Sequence, residues 1–253
     1  CFHFTAQALD LAEGVQTPVF DITELDIGMN TRLCDRLEWD DTRAYDRGKL
    51  MSYERLEAGA EFGRYLDVDG DGIAYRTLPG TPPSRGGYFT RGTTKDKYAR
   101  YSEAGPDYME NMQRLLRKFE TAKTLVPKPL LIPAPRPARF GAILYGSTSP
   151  AMEEGLDALA SRGVLVNALR IRAFPFADEI VDFCNSHPWV YVVEQNRDAQ
   201  LKTLLVNEAG VNQSRLIPVL HYDGTPITAR YIVDEVARHA SAHSVVPFKK
   251  VVS

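Results

Sequence analysis

Cysteine is scarce in this sequence. Cys1, Cys34 and Cys184 are its only thiols, odd in number and without C-x-x-C spacing. Three thiols so far apart cannot hold a four-thiolate iron–sulfur cluster or an all-cysteine zinc site, and they form no disulfide framework. A reducing cytoplasm suits all three, and Cys184, at a core position of a helix, is expected to be an inert buried thiol. Long apolar runs are missing too. None approaches the roughly 20 residues that span a bilayer, so no membrane segment is expected. Charge of one sign is also lacking. A formal net charge of −3 gives no electrostatic case for nucleic acid or an anionic membrane. There is no G-x-G-x-x-G, no Walker-type phosphate loop and no G-x-S-x-G elbow. Of the five histidines, only His239 and His243 have H-x-x-x-H spacing. They lack a third ligand and lie near the end of the sequence, so they are expected at the surface.

What is present reads as globular: 253 residues, 44% hydrophobic and 25% charged, enough for one large domain or two ordinary ones. The organising stretch is Trp189 to Leu205. Trp189 to Val193 is apolar without alternation, the pattern of a strand buried on both faces. Glu194, Gln195, Asn196, Arg197 and Asp198 follow as a polar loop. Leu201, Leu204 and Leu205 then recur at helical spacing, with Asp198 placed to cap that helix. Around this unit, strands are expected at Phe140–Tyr145, Val164–Ile171 and Leu216–Leu220, the last held to an edge or bulge by Pro218. Helices carry Met152, Leu156 and Leu159, then Ile180, Val181 and Cys184, then Ile232, Val233 and Val236. Strands alternating with helices imply a three-layer α/β domain over 138–253 with a mostly parallel sheet. Ligands and partners of such sheets gather at the carboxyl ends of the strands. Gly146, Ser147 and Thr148, Arg172, and Gln195, Asn196 and Arg197 come from three such ends and are expected to converge. Arg197 is expected to face a subunit interface or an active-site approach.

The first half is less regular. A helix through Phe4, Ala8, Leu11 and Ala12 leads to an expected strand at Thr17–Ile22. At its end Asp26 and Asn30 are placed by proximity as cofactor-binding candidates. A helix–strand pair this close to the start cannot cover both faces of a parallel strand, so a longer or partnered protein is expected. From Thr31 to Thr94 little periodicity appears, apart from a candidate helix at Ser52–Ala60. Asp67, Asp69 and Asp71 alternate in Asp67-Val-Asp-Gly-Asp-Gly72 like the first half of a calcium loop. The twelfth position, which should supply Glu, is Leu78, and no tight metal site is expected. The helix over Pro106–Thr124 puts Tyr108, Met112, Leu115, Leu116, Phe119 and Ala122 on its expected core face and its basic residues in solvent. Prolines over 127–137 are expected to break regular structure and form a linker.

Several ordered runs go further. Asp67-Val-Asp-Gly-Asp-Gly-Ile73, Tyr75-Arg-Thr-Leu-Pro-Gly-Thr81, Phe89-Thr-Arg-Gly-Thr93, Arg114-Leu-Leu-Arg-Lys-Phe-Glu-Thr-Ala122, Arg172-Ala-Phe-Pro-Phe176, Glu194-Gln-Asn-Arg-Asp-Ala-Gln200 and Leu220-His-Tyr-Asp-Gly224 together resemble the alpha subunit of 2-oxoacid:ferredoxin oxidoreductases, most closely the 2-oxoglutarate type. The resemblance implies that 1–126 is the tail of a thiamine-pyrimidine-type domain plus an irregular extension, and that 138–253 is like the C-terminal domain of transketolases. It implies oxidative decarboxylation of a 2-oxoacid on thiamine diphosphate, with coenzyme A taking the acyl group and ferredoxin the electrons. The family keeps its diphosphate, Mg2+ and 4Fe–4S ligands mainly on a beta subunit. The family's Tyr-Pro-Ile-Thr-Pro and Gly-Pro-Ser-Thr-Gly motifs do not occur here, so no catalytic residue is carried over and the chain alone is expected to be inactive. The alternative is a noncatalytic assembly or binding module of a multi-subunit complex.

Overall fold

The computed structural model describes residues 1–31, 33–81, 83–92 and 94–243. They form two compact units, Cys1–Ile22 with Arg32–Val126, and Thr23–Thr31 with Pro127–Ser253.

The second unit is built on a five-stranded sheet of order β1-β3-β2-β4-β5, with β1 Leu130–Ile132, β2 Phe140–Leu144, β3 Val166–Arg170, β4 Trp189–Glu194 and β5 Leu216–Leu220. β1 pairs antiparallel with β3, and all other pairings are parallel. Four helices follow the parallel strands: α6 Thr148–Ser161, α7 Asp178–Ser186, α8 Gln200–Ala209 and α9 Ala229–His243. β4 shows why the layers are three. Tyr191 and Val193 pack with Met152, Ile232 and Val236 of α6 and α9, while Val190 and Val192 pack with Ile180, Phe183 and Leu205 of α7 and α8. Alternate side chains of one apolar strand thus fill two cores, which is what an unalternating run demands. β5 lies at the edge and leaves Pro218 exposed, where a missing N–H costs no ladder bond.

Two histidines follow packing rather than chemistry. His187 is buried, with Nδ1 2.8 Å from the Phe183 carbonyl and Nε2 2.9 Å from the Asn167 amide. The carbonyl can only accept and the amide nitrogen can only donate, so the proton sits on Nδ1. His239, expected at the surface, instead places Nδ1 3.0 Å from the Tyr191 hydroxyl. The His243 side chain lies outside the described residues.

The proline-rich stretch is not wholly irregular. Leu130, Leu131 and Ile132 carry no proline among them and form the antiparallel edge strand, flanked by Pro129 and Pro133.

The first unit opens with α1 Phe2–Val15. No strand follows. Residues 18–24 have no regular structure, and Phe20 and Ile22 are 83% and 86% exposed. The short helix α2 Leu25–Gly28 clusters with the second unit. In the first unit, α3 Tyr53–Glu57 is capped by the Ser52 hydroxyl, which accepts from Arg55 N at 3.3 Å. The short α4 spans Pro83–Gly86. The irregular segment is tied to α1 by ion pairs rather than a ladder: Arg43 to Asp10, and Arg47 and Arg76 to Glu13. Those two guanidiniums hold the Glu13 carboxyl below its ordinary range.

The Asp67–Gly72 turn docks on α5 Gly105–Leu125. Gly72 has φ +80, and a Cβ there would collide with the backbone of Arg114 and Lys118. Thr121 Oγ1 donates to the Asp71 carbonyl at 2.7 Å. Lys49 Nζ lies 2.6 Å from Asp69 and 2.7 Å from Asp71, while Arg117 pairs with Asp67 at 2.9 Å. The three carboxylates therefore have internal cations as partners.

α5 buries only part of its expected face. Ala122 is buried and Leu115 half-buried, but Tyr108, Met112, Leu116 and Phe119 are exposed, whereas Arg114 is buried at 9% exposure. The apolar cluster that α5 joins, Val15, Ile73 and Ala122 with Leu11, is too small to accept a full apolar stripe. Hydrogen bonds to loop carbonyls set the rotation instead: Arg114 to Gly72 at 2.9 Å, Asn111 to Lys95, and Thr121 to Asp71.

Burial pushes the Cys184 thiol up to about 12, so its reactive thiolate is scarce in the folded chain. Cys1 and Cys34 are exposed. An Ellman titration at mildly alkaline pH is expected to label Cys1 and Cys34 promptly and Cys184 only after denaturant is added. Prompt labelling of all three in the native chain would contradict the buried position of α7.

Candidate functional site

The chain leaves β2 through α6 to β3 on one side, then crosses back to β4 on the other. The reversal puts the topological switch point between the carboxyl ends of β2 and β4. The tight turn after β2 needs Gly146, at φ +58. It leads into α6 with the Ser147 N–H free to bond outside the helix. Glu24 fills that role, its Oε1 accepting from Ser147 N at 2.6 Å. A carboxylate at this end of α6 is also favoured by the helix dipole.

Gln195 braces the edge. Its Nε2 donates to Ser147 Oγ at 3.0 Å and lies 3.4 Å from Thr148 Oγ1, and its Oε1 accepts from Ile227 N at 3.2 Å. One amide thereby connects the loops after β2, β4 and β5. The Ser147 hydroxyl meets an amide rather than an imidazole or amine, which suits recognition more than nucleophilic attack.

Beneath Gln195 lies the feature that sequence reasoning missed. Glu194 is fully buried. Its carboxylate accepts from Leu201 N at 2.7 Å, Lys202 N at 3.3 Å and Asn196 Nδ2 at 2.6 Å. Glu194, not Asp198, therefore satisfies the second and third N–H groups of α8, whose N-cap is Ala199 in the left-handed region at φ 51. Asn196 Oδ1 accepts from Asp198 N and Gln200 N at 3.1 and 3.2 Å and shapes the turn between. The signal was available: a carboxylate immediately closing an uninterrupted buried strand must find donors. Partial burial and then the Glu194 charge hold the Tyr145 phenol above its ordinary value. The backbone N–H of His221, just past β5, donates to the Glu194 carbonyl at 3.1 Å.

The structure thus brings Gly146, Ser147, Thr148, Gln195 and Asn196 into one hydrogen-bonded edge. Arg172 donates to the Lys128 carbonyl at 3.4 Å, on the stretch leading into β1. Arg197 pairs with Asp198 at 2.7 Å and stays 74% exposed. Asp26, half-buried, lies in α2 and Asn30, exposed, just beyond it, and no strand leads into that helix. The reason for choosing that pair fails with the absent strand. Among the described residues no three His, Cys, Asp or Glu side chains gather as a cation site, and no helix is long and apolar enough to cross a membrane.

No family model matches the chain, and no curated protein matches it. Solved structures do. A chain of the 2-oxoglutarate:ferredoxin oxidoreductase from Magnetococcus marinus, with 2-oxoglutarate, coenzyme A and succinyl-CoA bound, superposes with a TM-score of 0.63 at 19% identity, over 77% of this chain and 32% of that one. This chain thus spans about a third of the length of that solved chain. A split-gene transketolase, an inactive beta4 tetramer, gives a TM-score of 0.38 at 12% identity over 51% of this chain and 55% of that one. The alpha chain of a probable 2-oxoacid ferredoxin oxidoreductase from Thermoplasma acidophilum gives 0.32 at 24% identity over 45% and 97%. The first likeness defines a shared fold; the two weaker superpositions carry no argument.

Replacing Glu194 with alanine leaves the buried Leu201 N–H, the half-buried Lys202 N–H and the Asn196 amide without this acceptor. Glu194→Ala is expected to lower stability by about 3 kcal/mol, read from urea denaturation, while Asp198→Ala changes it by less than about 0.5 kcal/mol. The reverse ranking would return the cap to Asp198.

Proposed function

We propose that this chain is part of the alpha-type subunit of a thiamine-diphosphate-dependent 2-oxoacid:ferredoxin oxidoreductase, acting on 2-oxoglutarate to give an acyl-CoA. The observation that carries the reading is the shared fold with the 2-oxoglutarate:ferredoxin oxidoreductase chain over 77% of this sequence, joined to the ordered sequence runs that resemble the same family. The α/β unit is read as the transketolase C-terminal-like domain, and residues 1–126 as the end of the pyrimidine-type domain with its extension.

In this reading the donor inventory supports placing the inorganic groups outside this sequence. A 4Fe–4S cluster needs four thiolates, and the sequence holds three cysteines, one of them buried in the α7 core. The residues present do not fit the cluster, nor do the described residues offer a clustered donor set for Mg2+. The diphosphate, Mg2+ and cluster belong to a beta subunit, and no chemical step is assigned to this chain. Its own contribution is a rigid edge: Gln195, seated on the Glu194 clamp, fixes the loops after β2, β4 and β5 as an approach or assembly surface. Exposed Phe20, Ile22, Leu25 and Met29, 77–86% accessible, are apolar area that a partner subunit would cover. Ferredoxin as electron acceptor and a cytoplasmic location complete the proposal.

The test is purification of the native complex. A cysteine-rich partner is expected to copurify, and the complex to reduce a viologen dye only with 2-oxoglutarate, coenzyme A and thiamine diphosphate together. The homogeneous chain alone is expected to reduce nothing. Reduction by the isolated chain, or a native form without such a partner, would overturn the reading and leave the noncatalytic module in its place.

A further inference from the structure

The first unit holds a partly open cavity of about 250 Å³ that the proposed function does not use. Its lining includes the cations Arg64, Lys95, Arg114 and Lys118 and no carboxylate. None of the four forms an ion pair among the described residues. Arg114 is 91% buried by its 9% exposure, and its Nε, fully covered, has no hydrogen-bond partner. Its Nη1 is committed to the Gly72 carbonyl. The Tyr65 ring stands among three of the cations, 4.8 Å from Lys95 Nζ and 5.4 and 5.5 Å from the guanidinium carbons of Arg64 and Arg114.

Burying like charges together is costly unless something opposes them. The cost is visible here: burial first, then Arg64, holds Arg114 below its usual value, and burial followed by Arg114 and Arg64 does the same to Lys118. Asp67 is the nearest relief, attracting Arg114, but its Oδ2 is taken by Arg117 and its Oδ1 by Gly72 N. Arg114 and Lys118 thus turn into the cavity beside Leu115, while Tyr108, Leu116 and Phe119 of the same helix turn outward.

We propose that this cavity is a binding site for a phosphate group of a small molecule, with Arg64, Lys95, Arg114 and Lys118 as its cationic ligands. Two guanidiniums supply planar forks for the phosphate oxygens and two ammoniums supply point charges. Val15, Ile73 and Leu115 line the remaining wall and suit an uncharged portion of the ligand. The volume holds a small ligand rather than a large cofactor.

The probe is inorganic diphosphate, titrated by calorimetry into the whole chain at physiological ionic strength, with citrate as a carboxylate control. Saturable single-site binding of diphosphate is expected, with citrate at least tenfold weaker. Arg64→Gln and Lys95→Gln, which leave the Arg114–Gly72 hydrogen bond intact, are each expected to weaken diphosphate tenfold or more. Lys123→Gln removes a positive charge from α5 outside the cavity, where it pairs with Glu120, and is expected to change affinity less than twofold. Circular dichroism checks that each variant is folded. Absence of saturable binding, equal binding of citrate, or equal weakening by Lys123→Gln would overturn the site. Because the readout is binding to this chain, it stands or falls apart from turnover of the complex.

Discussion

A carboxylate with no contact to solvent governs the carboxyl edge of the sheet. Stripping water from Glu194 costs several kcal/mol unless donors replace it. Two N–H groups in the first turn of α8 and the Asn196 amide are those donors. The arrangement works in both directions, since the helix end also carries orphan donors that need an acceptor. With α8 held to the end of β4, the next residue, Gln195, can span to the loops beside it. The left-handed Ala199, disfavoured by about 1 kcal/mol for a residue with a Cβ, is retained because the Glu194 clamp overdetermines the turn around it.

The first unit solves a different problem. It has few apolar residues to bury and relies on charge: Glu13 collects two arginines, Lys49 spans two aspartates, and Asp67 meets Arg117. Most of these pairs are partly exposed, so each contributes modestly and together they position rather than cement the irregular segment. The four cations lining the cavity, Arg114 and Lys118 of α5 with Arg64 and Lys95, form no such pair among the described residues.

Much of the α/β unit was legible in the sequence. Trp189–Val193, with no polar residue, announced a strand covered twice, and Pro218 announced an edge. The proline-rich stretch hid β1 because three proline-free residues give too short a signal, and only antiparallel pairing with β3 makes them a strand. The expected strand after α1 failed because Thr17–Ile22 has β-branched composition but no neighbour in its own unit. The expected face of α5 is buried only at Ala122 and in part at Leu115, because amphipathic spacing assumes a core large enough to receive the whole stripe. Of the candidate site, the Gly146–Thr148 and Gln195–Asn196 loops could be chosen from strand ends alone. Glu194 was seen as one more loop residue, since burial depends on how far the strand runs, and that end is set by pairing with Leu220 of β5.

Amide hydrogen exchange on the native chain measures the clamp directly. Leu201 and Lys202, in the first turn of α8, would exchange rapidly if their N–H groups faced water, as first-turn amides of a helix without a cap do. The Glu194 clamp predicts that both exchange as slowly as Val192 in the sheet core, and that Glu194→Ala releases them selectively. Fast exchange at Leu201 and Lys202 in the unsubstituted chain would contradict the claim that a buried carboxylate organises this edge.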